Sequence, residues 1–441
     1  MHASLRAAPL LVLALASSFS SRSARADDVV PPPPLIPNPA PPSSSALTPA
    51  EEAAIAAELA APSSSSSAAA VPDLSQVNVG AMIPGIQSAN PNMAFIFDGS
   101  GAWFSTDPPL QTGEHDPNRS GFKLQQVELS LGASVDPVLR FDANIVFKSE
   151  GVEIEEAYAT TTTLPFSLQL RAGEFLTHFG RINEQHPHAW SFTDQPLVMG
   201  KFFGGDNNRG LGIEGSWLTP LPWFANLIVT VQEAAGECCA RTYAPVDVLQ
   251  LRSPLDLVGT VVVEQFFPVG DDFAILLGLN GQAGPGTSVN PDARAEIFGA
   301  DLLLRYAPPD APSRWSLSWQ SEAFARTRRS VFKRTDVPGD ISAERNDVDG
   351  GGYSQIVWRI DPEWETGIRA DVVSGLPDDA LDPDWTSLRT RYAAQTTFYP
   401  SHFSRLRLEG SVDLPTYVDA PIYALMLQLE VVIGAHGAHA Y

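Results

Sequence analysis

Alternation with a period of two, held for ten or more residues at a time, is the feature that most limits what this chain can become. In VLRFDANIVFKS, Leu139, Phe141, Ala143, Ile145 and Phe147 alternate with Arg140, Asp142, Asn144, Val146 and Lys148. In RLRLEGSVD, Leu406, Leu408 and Val412 alternate with Arg405, Arg407, Glu409, Ser411 and Asp413. Near the C-terminus Tyr423, Leu425, Leu427, Leu429, Val431 and Ile433 take every second place. Successive side chains of an extended strand point to opposite faces, so each stretch is a strand with one apolar and one polar face. Such strands exceed the roughly 5–6 residues usual in soluble proteins, which favours a closed sheet whose outer face meets lipid.

About 16 such strands are expected, at 93–104, 121–134, 138–148, 152–163, 166–177, 210–219, 222–233, 257–267, 272–283, 295–307, 313–326, 352–361, 364–374, 387–399, 403–414 and 421–433. From the second strand onward, short proline-bearing turns (VDP, TLP, TPLP, PVGDD, PPDAPS, DPE, YPSH) alternate with longer connections rich in Gly, Asp, Asn and Pro. Only the connection 149–151 is a short exception. Tight turns at one end and long loops at the other describe a transmembrane antiparallel β-barrel. An even strand count puts both termini at the short-turn end, the periplasmic one. Phe166, Trp217, Trp223, Tyr306, Trp315, Trp364, Tyr399 and Phe403 sit beside the short turns, where an aromatic girdle belongs. Tyr441 supplies an aromatic last residue.

The N-terminus is read differently. Arg6, the apolar run Ala7–Ala16 and the small-residue site Ala24-Arg25-Ala26 describe a signal peptide over 1–26. Residues 27–91 are dominated by Pro, Ala and Ser and bury too little apolar surface to fold, so a disordered linker is expected, with one short helix at 49–60. No segment reaches the roughly 20 apolar residues of a membrane-spanning helix. The formal charge of −23 becomes −26 once Arg6, Arg22 and Arg25 leave with the signal, which excludes nucleic acid as a partner. Cys238 and Cys239, adjacent, form no disulfide framework.

The stretch LQLRAGEFLTHFGR, followed by NEQHPHAWSFTDQPLV, resembles the entry to the third loop of phosphate-selective porin O/P-like barrels. Gly173, Phe175, Phe179 and Gly180 match that pattern, and His178 stands where the family often has proline. Similar sequences with the His-Pro-His element occur among uncharacterised barrels labelled zinc-regulated TonB-dependent outer membrane receptors. A receptor of that kind pairs a 22-stranded barrel with a folded plug, which the 350 residues from 92 to 441 cannot hold. The resemblance implies a Gram-negative outer-membrane barrel whose long loop folds inward.

With apolar residues toward lipid, the alternate positions face the lumen: Arg140, Asp142, Asn144, Lys148, Gln169, Arg171, Gln320, Glu322, Arg369, Asp371, Arg405, Arg407 and Glu409. Both signs occur, so a transverse field and charge selection are expected. The connection 178–209 is the longest, and Arg181, Glu184, His186, His188, Asp194, Lys201, Asp206 and Arg209 supply polar groups for a constriction. Pro187 and Pro196 stiffen it, and Trp190, Phe192, Phe202 and Phe203 are its expected wall anchors.

His178, His186 and His188 are weak candidates for a metal, since no HExxH or CxxC spacing accompanies them, and no metal site is expected. His436 and His439 form another loose pair. No G-x-S-x-G, P-loop or dinucleotide fingerprint is present in the right context, so neither an enzyme nor a cofactor is expected. The reading is a passive diffusion channel, with a substrate-specific uptake barrel (zinc or phosphate) or a structural envelope barrel as alternatives. Expected partners are the lipid bilayer and lipopolysaccharide and small solutes or ions. A homotrimer, common at this size, and peptidoglycan, through the N-terminal arm, are compatible partners.

Overall fold

The computed structural model describes residues 91–441 apart from 108, 150, 234–240, 244–250, 252, 287–292, 309–314, 333–342, 378–384 and 435–441. The signal peptide, the Pro/Ala/Ser segment with its 49–60 helix, Cys238–Cys239, His436, His439 and Tyr441 lie outside the described residues.

The first eight strands are β1 (Asn92–Phe104), β2 (Gly121–Ser134), β3 (Leu139–Phe147), β4 (Val152–Thr161), β5 (Leu168–Leu176), β6 (Arg209–Leu218), β7 (Phe224–Gln232) and β8 (Val258–Val269). The rest are β9 (Phe273–Pro285), β10 (Arg294–Tyr306), β11 (Ser316–Phe332), β12 (Ala343–Arg359), β13 (Trp364–Val373), β14 (Arg389–Ser401), β15 (Ser404–Pro415) and β16 (Ile422–Gly434). Each pairs antiparallel with its neighbours in sequence, and β1 closes on β16 from Ala94↔Gly434 to Phe104↔Ala424. Closure leaves no strand edge, and both strand termini emerge at the end that carries the short turns.

The alternation sorts side chains as read. On β13 Ile368 is 60% exposed to the outside while its neighbour Arg369 is 3% exposed inside. Outward Phe95, Phe97, Leu408, Leu425 and Leu427 continue an apolar belt around the wall, and such a belt is stable only against lipid. Trp364 packs on Phe398 and Tyr306 on Trp315 at its short-turn rim. Tyr399 departs from the girdle expectation. It points inward, where its hydroxyl lies 3.4 Å from Glu365 and Arg359 covers its ring at 4.0 Å.

Among the described residues, two bulges place consecutive side chains on one face, and a further register shift lies at Phe398/Ser401 beside the β14–β15 turn. In β2 the register passes from Asp98↔Gln126 to Gly99↔Leu124, so Gln125 is an extra residue, and both Gln125 and Gln126 are buried. In β4 it passes from Asn144↔Glu156 to Ile145↔Ile154, so Glu155 is extra and both Glu155 and Glu156 are buried. A bulge turns two consecutive side chains the same way. The β11–β12 hairpin is also longer than expected, running on through RTRRS and ERNDVDGG with Arg326 paired to Asp349 at 2.5 Å. Both faces are polar there, so no apolar alternation marked the extension.

Placing arginine on the lipid face tests the orientation. Ile368→Arg is expected to lower stability by roughly 2–4 kcal/mol, the cost of a cation near mid-bilayer, in urea unfolding of the vesicle-reconstituted protein.

Candidate functional site: the loop inside the barrel

The connection between β5 and β6, residues 177–208, turns into the barrel. Asn183 Nδ2 donates to the carbonyls of Thr177 and Asn208 at 2.7 and 2.8 Å, clipping the two ends of the loop together. The turn inward is made at Gly180, whose φ of +68° suits glycine, and a Cβ there would strike the Glu322 carboxylate.

A loop crossing a lumen has no sheet to pair with, so its backbone groups need side-chain partners. The wall supplies them. Gly180 N donates to Asn280 on β9 at 3.1 Å, and Arg181 N and Ile182 N donate to the two Glu322 oxygens on β11 at 3.0 and 2.9 Å. Further along, Thr193 N donates to Glu409 on β15 at 2.6 Å, and Leu197 N to Asp371 on β13 at 3.1 Å. Arg405 and Arg407 donate to the carbonyls of His188 and Trp190. The Asp194 carboxylate takes Arg391 at 2.6 Å and Arg369, whose other nitrogen reaches the Asp194 carbonyl at 2.9 Å.

The loop has an apolar side as well. Phe179, Ile182, Trp190, Leu197, Val198, Met199, Phe202 and Phe203 pack against inward residues of β8 to β13, among them Val258, Ile297, Phe324 and Val373. Phe179 meets Phe324 and Phe203 edge-on, with centroids 5.2 and 5.4 Å apart. Leu197–Phe202 forms a short helix, α1, against β12 and β13. Pro187, Pro196 and the aromatic anchors Trp190, Phe192, Phe202 and Phe203 are all buried.

The histidines separate into two places. His178 Nδ1 lies 2.7 Å from Glu214, and its Nε2 lies 3.3 Å from Glu184. Burial would push this imidazole down, but Glu184 and Glu214 hold it up, at about 9. His186 and His188 stack with ring centroids 5.7 Å apart and face the acids of β2 and β4. His186 Nδ1 is 2.9 Å from Glu155 and its Nε2 2.8 Å from Glu156, while His188 Nδ1 is 3.0 Å from Glu128. Burial acts downward on His186 too, yet the Glu128, Glu155 and Glu156 carboxylates hold it well above the usual imidazole range.

Among the strand residues read as lumenal, Gln320, Glu322, Arg369, Asp371, Arg405, Arg407 and Glu409 are buried, and most of them hold the loop. Asp142, Asn144, Lys148 and Arg171 are half-buried, while Arg140 and Gln169 are exposed. Arg181 lies 3.5 Å from Asp301. Lys201 belongs to α1 and sits 5.0 Å from the Trp385 ring, and Arg209 opens β6, where it pairs with Glu153 and Asp206.

Sequence reading missed the acids Glu128, Glu155 and Glu156, the arginines Arg389 and Arg391, and a second inward loop. Residues 109–117 place Gln111 against Arg391 at 2.8 Å, Asp116 against the Gln195 amide at 3.0 Å and His115 against Glu155 at 3.0 Å. The RTR and EIEE runs were visible signals for Arg389, Arg391, Glu155 and Glu156, whereas Glu128 stands alone in QQVELS and nothing in PLQTGEHD distinguishes an inward loop from an outward one. Below the main loop, toward the short turns, lies a cavity of about 700 Å³ bordered by Trp190, Arg359, Glu365, Tyr399, Arg405 and Glu430.

No family model matches the chain. An uncharacterized protein of Aquifex aeolicus (strain VF5) is 31% identical over 347 residues, which are 75% of this chain and 72% of that protein. Among solved structures, the outer membrane channel DcaP of Acinetobacter baumannii is similar in fold with a TM-score of 0.53 and 11% identity. That match covers 78% of this chain and 97% of DcaP. OprB of Pseudomonas putida gives a TM-score of 0.52 at 9% identity, over 78% of this chain and 94% of OprB.

Asp194 is the joint on which loop docking is most exposed to mutation. It alone among the loop's described side chains takes two buried wall guanidinium groups, Arg369 and Arg391, and its loss leaves them to their wall partners Asp371 and Asp413 and to Gln111 of the second loop. Asp194→Ala is expected to cost roughly 1.5–3 kcal/mol of docking stability, the loss of hydrogen bonds between charged groups. Trypsin cleavage of the folded barrel at Arg181 or Lys201 should rise accordingly; wild-type resistance would contradict the assignment.

Proposed function

The chain belongs to the family of the Aquifex aeolicus protein, and we propose that it works as an outer-membrane porin for small hydrophilic or charged solutes. The observation that carries this reading is the loop 177–208, bound inside a closed barrel by side chains from β9, β11, β13 and β15. A barrel of about 16 strands is wide enough to hold an aqueous channel. A loop fixed across that channel narrows it, and the charges around the loop decide what enters.

The proposed route follows from the loop's two sides. Its apolar side is filled by packed side chains against β8 to β13, so water and solutes pass along the polar side, between the β2–β4 acids and the β13–β15 arginines. The cavity toward the short turns, lined by the neighbouring pairs Arg359–Glu365 and Arg405–Glu430, forms the periplasmic vestibule below the constriction. In this reading selection is by size and charge, with no chemical step.

Purified protein in planar bilayers is expected to give discrete conductance steps. Deleting 184–196 should raise the single-channel conductance. Unchanged conductance after the deletion would remove the loop from the constriction, and no steps from either protein would point to a structural barrel. The reversal potential under a salt gradient reads the ion preference.

A further inference from the structure

We propose that Glu128, Glu155 and His186 form a binding site for a divalent transition-metal ion such as zinc, tying the inward loop to the barrel wall. The three come from separate parts of the chain: β2, the bulge of β4, and the loop. Their ligand atoms all lie within 4.8 Å of one another. His186 Nδ1 is 2.9 Å from Glu155 Oε2 and 3.7 Å from Glu128 Oε2. Ligand atoms about 2.0–2.2 Å from a tetrahedral zinc stand roughly 3.4 Å apart, so the trio needs little adjustment to close on one ion. One imidazole and two carboxylates are a donor set that zinc accepts, with the fourth position left to water or to a solute.

Three further observations point to a cation here. The Glu128 side chain is 2% exposed and its Oε2 accepts no hydrogen bond, although His188 Nδ1 lies 3.0 Å away. An acceptor so placed is costly unless something else satisfies it. Next, His186 Nε2 is held 2.8 Å from Glu156, which Asn144 in turn holds at 2.9 Å. A carboxylate on the far nitrogen of a ligating histidine is the usual support that orients the ring and raises its basicity, leaving Nδ1 for the metal.

Finally, among the described residues, the ion-pair partners of Glu128, Glu155 and Glu156 are all imidazoles. The neighbouring acidic group of Glu114, Glu153 and Asp206 is already answered by Lys148, at 2.5, 2.6 and 3.8 Å, and by Arg209. The first cluster, among the described residues, is answered by imidazoles alone, groups that give up a proton to ligate a metal as lysine and arginine do not.

The site revises the expectation of no metal. Histidine spacing carried no metal signature because two of the three ligands are glutamates distant in sequence. His178 takes no part, being paired with Glu184 and Glu214.

Calorimetric titration of the full-length, detergent-solubilised protein with zinc, after chelator treatment, tests the site. One zinc per chain is expected. Binding should be lost in Glu155→Gln and in Glu128→Gln, and weakened about 10–100-fold in Glu156→Gln. Glu114→Gln, in the lysine-answered cluster, should keep the affinity within twofold. Unboiled gel migration confirms that each variant is a folded barrel. No binding by the wild type, or equal binding by Glu155→Gln, overturns the proposal.

Should either variant fail to fold, zinc-edge X-ray absorption of the wild type decides. A first shell of imidazole with carboxylate oxygens supports the site, and one of oxygens alone or of three imidazoles overturns it. Conductance enters none of these readouts, so failure of the metal site and failure of the channel reading are separable.

Discussion

A bilayer offers no hydrogen bonds to a peptide group, and the closure of β1 on β16 is what the rest of this molecule depends on. Once the wall closes, the outer face of its lipid-crossing stretches is committed to lipid, and the charged side chains of those stretches point inward. The lumen therefore inherits Asp98, Glu128, Glu322, Arg369, Arg407 and Glu409 whether or not a solute ever meets them. Charges so confined demand partners. The inward loop supplies them with its amides and carbonyls, and in exchange receives the hydrogen bonds that no strand could give it.

Two kinds of contact hold that loop, and they do different things. Burying a large apolar side chain such as Phe202 or Phe203 contributes roughly 1.5–3 kcal/mol, so the packed side against β8 to β13 carries most of the binding. Buried ion pairs such as Asp194 with Arg369 and Arg391 recover little beyond the cost of desolvating them. Their effect is on position. A loop held only by apolar packing could slide over the wall, whereas each backbone amide taken by Glu322, Asp371 or Glu409 fixes a residue to a strand.

The wall was legible in the sequence because lipid imposes a strict period of two on anything that crosses it. All of the expected strands are present near their expected bounds. Where lipid stops dictating, legibility stops too. The extension of β11 and β12 through RTRRS and ERNDVDGG is polar on both faces, so it looked like a loop. The bulges at Gln125 and Glu155 reverse the parity of their strands, so counting by twos cannot find Gln125 with Gln126, or Glu155 with Glu156, on one face. The long loop was recognisable from its length, its prolines and its aromatic anchors. Its partners were not, because they sit tens to hundreds of residues away and are brought near only by the circular order of strands.

That order also explains the arrangement of residue types within the loop. Over HPHAWSFTD the imidazoles come first and the carboxylate last. The walls they meet run in the same sense: glutamates on β2 and β4 receive His186 and His188, and arginines on β13 and β14 receive Asp194. A reversed or shifted loop would press Asp194 toward Glu128 and Glu155, and the imidazoles toward Arg369 and Arg391. Like-charge contacts of that kind cost far more in a buried lumen than at a surface. The segment therefore has one electrostatic register. The loop bridges two local groupings, imidazoles to the glutamates of β2 and β4 at one end and Asp194 to the arginines of β13 and β14 at the other, within a lumen where both signs are otherwise interleaved.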